Sequence, residues 1–262
     1  MMDGRISAAM LTLLALGPCS SVMAADLPDC AGGVEVAAAR IMRTEQNGVL
    51  VMSDGRAVHL EGVRLPNARA DHAPMAIQVQ TLGALSQMAN DHTLVLTAVE
   101  PKEDRYDRIR AQAFSGPDWI QAALLKRGLA RVSVAPDRIE CAAELYDAEG
   151  YARAAHLGLW SLPAYAIRTP QNVAGDVGTF QIVEGKVTGA DALNGVMTLS
   201  FGIGLKGEFR VTILTDDMAN FRMIGVNPKG YAGKTLRVRG VVQYDNGPMI
   251  EIANPIQVEV VQ

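Results

Sequence analysis

Short runs in which apolar and polar residues alternate cover the first half of the chain, and such alternation is typical of half-buried β-strands. Two turn signals, Glu45-Gln46-Asn47-Gly48 and Ser53-Asp54-Gly55, separate the first three runs. Asn-Gly and Asp-Gly mark hairpin turns because such turns need residues that adopt positive φ. The pattern predicts strands over residues 34–44, 48–52, 57–63, 93–99 and 109–114.

Apolar residues at helical spacing predict three helices in the same half. The first follows Pro74 and runs to residue 90, and the second begins with Asp118 as its N-cap and ends at Gly128. The third opens at Pro136 and runs to about residue 155. Five strands with inserted and appended helices predict an α+β fold, the helix-bearing form of the five-stranded OB barrel.

The second half is predicted to be almost entirely strand. Residues 162–176 contain two prolines and little apolar periodicity, which predicts a linker ahead of a second domain over residues 177–262. The strands of that domain are predicted over residues 180–188, 196–201, 209–214, 235–244, 249–252 and 256–261. A short helix over residues 216–224 separates the third strand from the fourth, which is again the OB order.

The predicted fold class is therefore α+β and mostly β, with two OB-fold-like five-stranded barrels, the first of which carries three helices. Six aromatic residues of the second half lie among apolar positions, which favours core packing over base stacking. They are Phe180, Phe201, Phe209, Phe221, Tyr231 and Tyr244.

The start of the chain carries a separate pattern. An apolar run over residues 6–17 follows Arg5, and Val22-Met23-Ala24 supplies the small residues that signal peptidase recognises. We expect a signal peptide over residues 1–24 and a periplasmic or secreted protein, with a lipoprotein anchored at Cys19 as the alternative. No later run is long and apolar enough to predict a membrane span.

The number of cysteines and the net charge indicate the cellular compartment and the kind of ligand. Cleavage leaves Cys30 and Cys141, and an even number of cysteines in an oxidising compartment predicts one disulfide, with two unrelated thiols as the alternative. The 24 basic and 28 acidic residues give a net charge of −4. Strong non-specific nucleic-acid binders usually present a basic surface, so the overall charge argues against that class and leaves only a local basic patch.

Three stretches carry a family resemblance. Asp104-Arg105-Tyr106-Asp107-Arg108, residues 118–132 and Leu157-Gly158-Leu159-Trp160 resemble the second half of the staphylococcal nuclease family. The order of predicted elements resembles that family over residues 34–161, which implies a nuclease-like OB domain over residues 25–161. Residues 237–261 resemble, more loosely, the small bacterial OB domains that follow secreted nuclease-like modules.

The resemblance also implies where a metal, a base and two arginines would lie. In that family carboxylates hold one Ca²⁺, a glutamate after proline acts as general base, and two arginines bind the phosphate. The arginine of the Asp-x-Tyr-Gly-Arg motif falls on Arg108, which is kept, and the other arginine falls on His59. The metal-binding aspartates fall on Arg64 and near Asn47, and the base falls on Asn67.

These replacements remove groups that the family's reaction needs. Ca²⁺ prefers charged oxygen ligands, and Arg64 places a cation where the ion would bind. Asn67 is not basic enough to take up a proton, and the loss of a general base typically costs about 10²–10⁴ in rate. We therefore predict no catalytic residue, no metal and no cofactor.

Two residues remain as candidates for binding an anion. Arg64 and Arg108 could form a pair, because guanidinium groups match phosphate and carboxylate geometry. The alternative for Arg108 is a surface ion pair with Asp104 or Glu103. We interpret the nearby residues Glu61, Asp71 and His72 as ordinary surface residues, although they are the groups that a relocated active site would use.

The leading hypothesis is an exported, catalytically inactive protein that acts as a binding module for a protein partner at the cell envelope. A secreted Ca²⁺-dependent nuclease with relocated catalytic residues is the first alternative, and a weak binder of single-stranded nucleic acid is the second. An enzyme needs at least two carboxylates that converge on Arg108. A nucleic-acid binder needs a basic face with exposed rings, and a protein-binding module needs an exposed apolar patch or an open strand edge.

Overall fold

The computed structural model describes residues 27–203 and 206–261. The predicted signal peptide over residues 1–24, with Cys19 and the cleavage site, lies outside the described residues. The first half of the described chain forms eight strands and three α-helices. In chain order they are β1 (Gly33–Thr44), β2 (Leu50–Met52), β3 (Ala57–Leu60), β4 (Val63–Arg64), α1 (Met75–Ala89), β5 (Thr93–Ala98), β6 (Ile109–Ser115), β7 (Asp118–Trp119), α2 (Ile120–Lys126), β8 (Arg131–Val132) and α3 (Ala142–Ala154).

Five of these strands close a barrel, as predicted. β1 pairs antiparallel with β2 and β5, β2 pairs with β3, and β5 pairs with β6. The ring closes because β3 runs parallel to β6. The alternating apolar residues of these strands fill the interior, where Ile41, Leu50, Leu94 and Leu96 are completely buried.

Two helix starts differ from the prediction. Asp118 does not cap α2, because Asp118 and Trp119 continue the sheet as β7 and the helix begins one residue later. The indole of Trp119 stacks on Phe114 at 6.0 Å and donates a hydrogen bond to Gln112, which holds this segment extended. The third helix begins at Ala142 rather than Pro136, because tertiary hydrogen bonds described below hold residues 136–141 as an ordered turn.

The predicted disulfide is present. Cys30, in the 3₁₀ turn Asp29–Ala31, is bonded to Cys141, the residue that precedes α3, with Cα atoms 5.0 Å apart. The bridge ties the start of the described chain to a helix whose sequence position is 111 residues away.

The ends of α2 and α3 meet through two glycines. Gly128 and Gly158 both have positive φ, and the Leu159 N–H donates a 2.8 Å hydrogen bond to the Gly128 carbonyl. A Cβ atom on Gly128 would lie 2.2 Å from the Leu157 carbonyl oxygen, so only glycine allows this approach. The stretch Leu157-Gly158-Leu159-Trp160 therefore contacts the backbone at the end of α2 and holds α2 and α3 together.

The second half forms a curled sheet. Its elements are β9 (Phe180–Lys186), β10 (Gly189–Leu193), β11 (Val196–Ser200), β12 (Arg210–Leu214), α4 (Met218–Met223), β13 (Thr235–Tyr244), β14 (Pro248–Glu251) and β15 (Val258–Val261). The strand order is β10-β11-β12-β14-β13-β15, with β9 also paired to β13 and β12 parallel to β14. The topology is OB-like, and α4 lies between the third and fourth predicted strands. Strand β10, which forms a hairpin with β11 around Asn194-Gly195, was not predicted.

Aromatic residues pack inside this curled sheet. Phe180, Phe201, Phe209, Phe221 and Tyr231 are buried, and the Phe201 and Phe209 rings lie 5.2 Å apart. The prediction of core packing is confirmed for Phe201, Phe209, Phe221 and Tyr231, whereas Phe180 is buried at the boundary between the domains, against Arg64 and Arg131. It was wrong for Tyr244, whose exposed fraction is 67%.

Residues 162–176, predicted as a linker, are ordered against both barrels. Tyr165 packs in the core of the first domain and Val173 in that of the second. Between them, Arg168 forms an ion pair with Asp176 and exchanges backbone hydrogen bonds with β9. None of the helices in residues 27–203 and 206–261 has the length and apolar character needed to cross a membrane.

Charged residues, all buried or half-buried, join the two domains. Arg239 on β13 donates to both carboxylate oxygens of Glu149 on α3, at 3.1 and 2.9 Å, and also to Glu259 at 2.7 Å. Its guanidinium lies 4.3 Å from the Tyr146 ring centroid, and the Tyr146 hydroxyl donates to the Ile256 carbonyl. Arg239 and Glu149 are almost completely buried, so the interface depends on their pairing.

Candidate functional site

A groove of about 490 Å³ lies across the mouth of the first barrel. Its walls come from the turn between β1 and β2, the end of β3, the loop after β4 and the residues after β8. Four positions that the sequence analysis singled out line it together: Asn47, His59, Arg64 and Asn67. Arg108 does not line the groove itself, but its turn reaches the groove through Asp104.

Two carboxylates at one end of the groove share a single arginine. Glu61 is 3% exposed and accepts a 2.8 Å hydrogen bond from Arg110 Nε. The other guanidinium nitrogens of Arg110 donate to both oxygens of Asp137, at 2.7 and 3.0 Å. The hydrogen bond from Arg110 lowers the pKa of Asp137, and the same contact raises the pKa of Arg110. Asp137 and Arg110 therefore stay ionised as an ion pair.

Arg108 is held by an ion pair with Asp104. Its Nε lies 2.7 Å from Asp104 Oδ2, while Oδ1 accepts backbone hydrogen bonds from Tyr106 and Arg108. Burial raises the pKa of Asp104, but the hydrogen bonds lower it by more than burial raises it, so the pKa lies below its ordinary value. Tyr106 is 61% exposed, with the guanidinium groups of Arg105 and Arg108 at 4.9 and 5.1 Å from its ring.

His59 lies between these two ion-pair clusters. It faces Arg110 across the parallel pairing of β3 with β6. Burial lowers the pKa of His59, and the positive charges of Arg108 and Arg110 lower it too, against the opposing effect of Glu61 and Asp104. The imidazole is therefore neutral near pH 7 and supplies no positive charge for binding phosphate.

The loop after β4 folds around a buried carboxylate. Asp71 is 3% exposed, and its Oδ2 accepts hydrogen bonds from the Asn67 N–H at 2.9 Å and from the Tyr165 hydroxyl at 3.0 Å. Its Oδ1 lies 3.0 Å from Arg131 and 3.7 Å from Arg64. The interpretation of Glu61 and Asp71 as surface residues was therefore wrong, because arginine pairing allows each carboxylate to be buried.

The same loop is attached to the second domain. Arg131 on β8 is 2% exposed and donates a 2.7 Å hydrogen bond to the Phe180 carbonyl at the start of β9. Its guanidinium also lies over the Tyr165 and Phe180 rings, at 4.7 and 5.0 Å. Arg64 lies over the Phe180 ring at 5.3 Å. The structure thus turns Arg64 toward the domain boundary and pairs Arg108 with Asp104.

The donor set at the implied metal position does not fit Ca²⁺. Asn47 Oδ1 accepts the Val49 N–H at 3.0 Å, and Arg64 offers no lone pair. At the implied base position, Asn67 Oδ1 accepts the Ala70 N–H at 2.8 Å. Within residues 27–203 and 206–261, one cluster brings three His, Cys, Asp or Glu ligand atoms together, and it contains the disulfide sulfurs of Cys30 and Cys141. Sulfurs in a disulfide are not thiolate ligands.

Sequence reasoning missed the arginines that organise the site. Arg110, Arg131 and Arg239 each lie in a strand with an apolar residue or a glycine on either side in the sequence. An arginine is almost never buried without a partner, so a lone arginine in an apolar strand predicts a buried carboxylate nearby. That signal was present in the sequence and would have drawn Glu61, Asp71 and Glu149 into the site.

Part of the first half of the chain is similar to a known family. Residues 57–162 match a family model described as staphylococcal nuclease homologue. The match covers less than half of the chain and contains the groove loop, the Arg108 turn and all three helices of the first domain. No curated protein matches the chain.

Proposed function

Because residues 57–162 form a staphylococcal nuclease homologue domain, we propose that this protein is an exported, catalytically inactive relative that uses the groove for binding. One observation carries the proposal: each carboxylate at the groove is engaged by an arginine. Glu61 and Asp137 pair with Arg110, and Asp104 pairs with Arg108. None of these carboxylates is left to hold a metal or activate water.

Hydrolysis of a phosphodiester needs a base and usually a metal ion. Arg64 and Asn67 occupy the positions from which the resemblance expects a metal ligand and the base. Asp71, the nearest substitute, accepts hydrogen bonds from Tyr165 and Asn67 and pairs with Arg131. Freeing it for catalysis would leave the buried Arg131 without its counter-ion, at a cost of about 3–5 kcal/mol.

The test is a phosphodiesterase assay on single-stranded DNA and RNA, with the oxidised protein in Ca²⁺ and in EDTA, beside Arg108→Ala. We expect no cleavage above the level of Arg108→Ala in either buffer. Calcium-dependent cleavage that Arg108→Ala abolishes would refute inactivity. In that case Glu61→Gln and Asp104→Asn would locate the relocated carboxylates.

A second candidate function rests on the exposed ring of Tyr106. An exposed ring with arginines beside it combines the stacking surface and the positive charge that single-stranded nucleic acids bind. We propose weak, salt-sensitive binding of such strands at this turn. Stacking contributes about 1–3 kcal/mol per base, so Tyr106→Ala should weaken the binding of a labelled oligothymidine at least about fivefold in fluorescence anisotropy. Equal affinity of the two proteins would exclude this turn.

The proposed location and partner rest on other features. The Cys30–Cys141 bridge supports export, because structural disulfides persist in oxidising compartments. For a protein partner at the envelope, the support is an apolar row on the second sheet, where Leu193, Val196 and Leu214 lie in cross-strand register. Leu193 and Leu214 are 73% and 39% exposed. Leu193→Asp should abolish capture of such a partner from envelope extracts, and unchanged capture would exclude this row.

A further inference from the structure

Two grooves meet at Arg64. Besides the groove of the first barrel, a second groove of about 300 Å³ lies between the domains. Arg64, Ser133 and Val134 line both, and the far wall of the second groove comes from β13 and β14. Arg64 therefore stands where a ligand would touch both domains.

Within residues 27–203 and 206–261, the guanidinium of Arg64 has no hydrogen-bonded partner. Its nearest carboxylate oxygen, Asp71 Oδ1, is 3.7 Å away, which is beyond hydrogen-bond distance. The oxygens of Asp71 already serve Asn67, Tyr165 and Arg131. Arg64 Nε is buried with no acceptor among the described residues, while about a third of the side chain, 34%, faces solvent.

The charge at this point is unbalanced. Two guanidinium groups, those of Arg64 and Arg131, face the single carboxylate of Asp71. The neighbouring interface cluster is balanced, since its three arginines pair with three glutamates in the part of the chain that the structure describes. That cluster consists of Arg153, Arg237, Arg239, Glu149, Glu184 and Glu259. Around Asp71 one positive charge is therefore in excess, and Arg64 is the more exposed of the two arginines.

The surroundings define the ligand. Phe180, Val134 and Val241 give the second groove apolar walls, and Val241 is 43% exposed. The exposed carboxylate of Glu251 lines the same groove and would repel a doubly charged group. One excess positive charge beside apolar walls fits a single carboxylate attached to an apolar body.

We infer that Arg64 is the anion-binding residue of a subsite at the domain junction that accepts a singly charged carboxylate carried by an apolar body. This chemistry belongs both to free organic acids and to peptide carboxyl termini. The inference rests on the proposed binding role and names its ligand class. Arg108 takes no part, because Asp104 already engages it.

The test is an NMR titration of the full ¹⁵N-labelled chain with four probes. They are 3-phenylpropanoate, N-acetyl-Ala-Phe with a free carboxyl group, the amide of the same dipeptide, and inorganic phosphate. The variants are Arg64→Gln, which removes the charge, and Arg64→Lys, which keeps it. Arg56→Gln is the matched control, since Arg56 is an exposed arginine in an ion pair with Asp54 and lines neither groove.

We expect a carboxylate probe to bind the wild type and Arg56→Gln equally, Arg64→Lys more weakly, and Arg64→Gln at least about tenfold more weakly, as loss of a charge-assisted contact predicts. Tighter binding of 3-phenylpropanoate would identify a free organic acid as the ligand source, and tighter binding of the dipeptide acid a peptide terminus. An unchanged unfolding midpoint of Arg64→Gln would show that the loss is local.

Four results would overturn the inference. The dipeptide acid and its amide could bind equally, phosphate could bind more tightly than the carboxylates, or the affinity could be independent of Arg64. The fourth result is no binding of either carboxylate at about 10 mM, the order of magnitude of fragment affinities. The cleavage assay is independent of this titration. If the protein cleaved nucleic acid in a calcium-dependent way and also bound carboxylates through Arg64, the proposal of inactivity would be refuted but the proposed subsite would be supported.

Discussion

Replacing Glu149 by glutamine should destabilise the whole chain, because this carboxylate joins the two domains. Glu149 has no exposed surface, and both of its oxygens accept hydrogen bonds from Arg239. It also accepts the Val132 N–H at 2.8 Å and lies 3.5 Å from Arg153. Glutamine preserves the shape and one acceptor oxygen but removes the charge, so Arg239 keeps only Glu259 as an ionised partner.

The expected magnitude follows from that remaining partner. Breaking a buried ion pair by removing one member costs about 3–5 kcal/mol, because the other charge is left buried. Glu259, which is 2.7 Å from Arg239, retains part of the compensation, so we expect about 3 kcal/mol. For a chain of this length that corresponds to a melting temperature lower by roughly 6–12 °C. The control is Glu184→Gln, which weakens a partly exposed pair with Arg237 and should cost less than about 1 kcal/mol.

Urea unfolding followed by two probes measures the effect. Both tryptophans of the chain, Trp119 and Trp160, lie in the first domain, so their fluorescence reports that domain, whereas far-ultraviolet circular dichroism reports both. Coincident transitions that shift together in Glu149→Gln would support the coupling. A change within 0.5 kcal/mol of zero, about the size of an ordinary surface substitution, would refute the reasoning. Separate wild-type transitions for the two probes would refute it too.

Three further predictions follow from the structure. Cys30→Ala with Cys141→Ala should cost about 2–5 kcal/mol in urea unfolding, because the bridge spans 111 residues, and a cost below about 1 kcal/mol would contradict this. Burial raises the pKa of Glu259, but Arg239 and neighbouring charges lower it below its ordinary value. The Glu259 carboxylate therefore stabilises the fold fully above about pH 5, and this stabilisation is lost as the pH falls through the lowered pKa. The free energy of unfolding should therefore fall less steeply between about pH 5 and 3 in Glu259→Gln than in the wild type. Burial lowers the pKa of His59, so NMR titration of its imidazole should give a midpoint below about 6.5, and a midpoint above 7 would contradict the neutral ring.

Local signals predicted most of the fold. Alternation and turn residues located the five strands of the first barrel, and α1 begins and ends within one residue of its prediction. The start of α3 was wrong because distant partners hold the preceding turn. Asp137 is bound by Arg110, and Arg138 donates to the carbonyls of Pro101 and Arg110. No property of residues 136–141 alone encodes those contacts.

In the candidate site, too, the sequence predicted which positions come together but not how their side chains pair. Sequence positions brought Asn47, His59, Arg64 and Asn67 to one groove, because loops at one end of a barrel converge whatever their side chains are. The orientation of Arg64 toward Phe180 could not be predicted in this way, since it depends on a side chain more than 100 positions later in the chain. Pairings of this kind appear only when both barrels are assembled.

Residue 162 ends the family match, but it does not end the physical unit. Tyr165 donates a hydrogen bond to Asp71, and the Phe180 carbonyl accepts one from Arg131. Arg239 is the main counter-ion of Glu149. A fragment cut at the family boundary would keep these three groups in the protein interior and discard their partners. The stretch that matches the family model is therefore smaller than the physical unit, and moving it alone into another protein would leave these three buried groups without those partners.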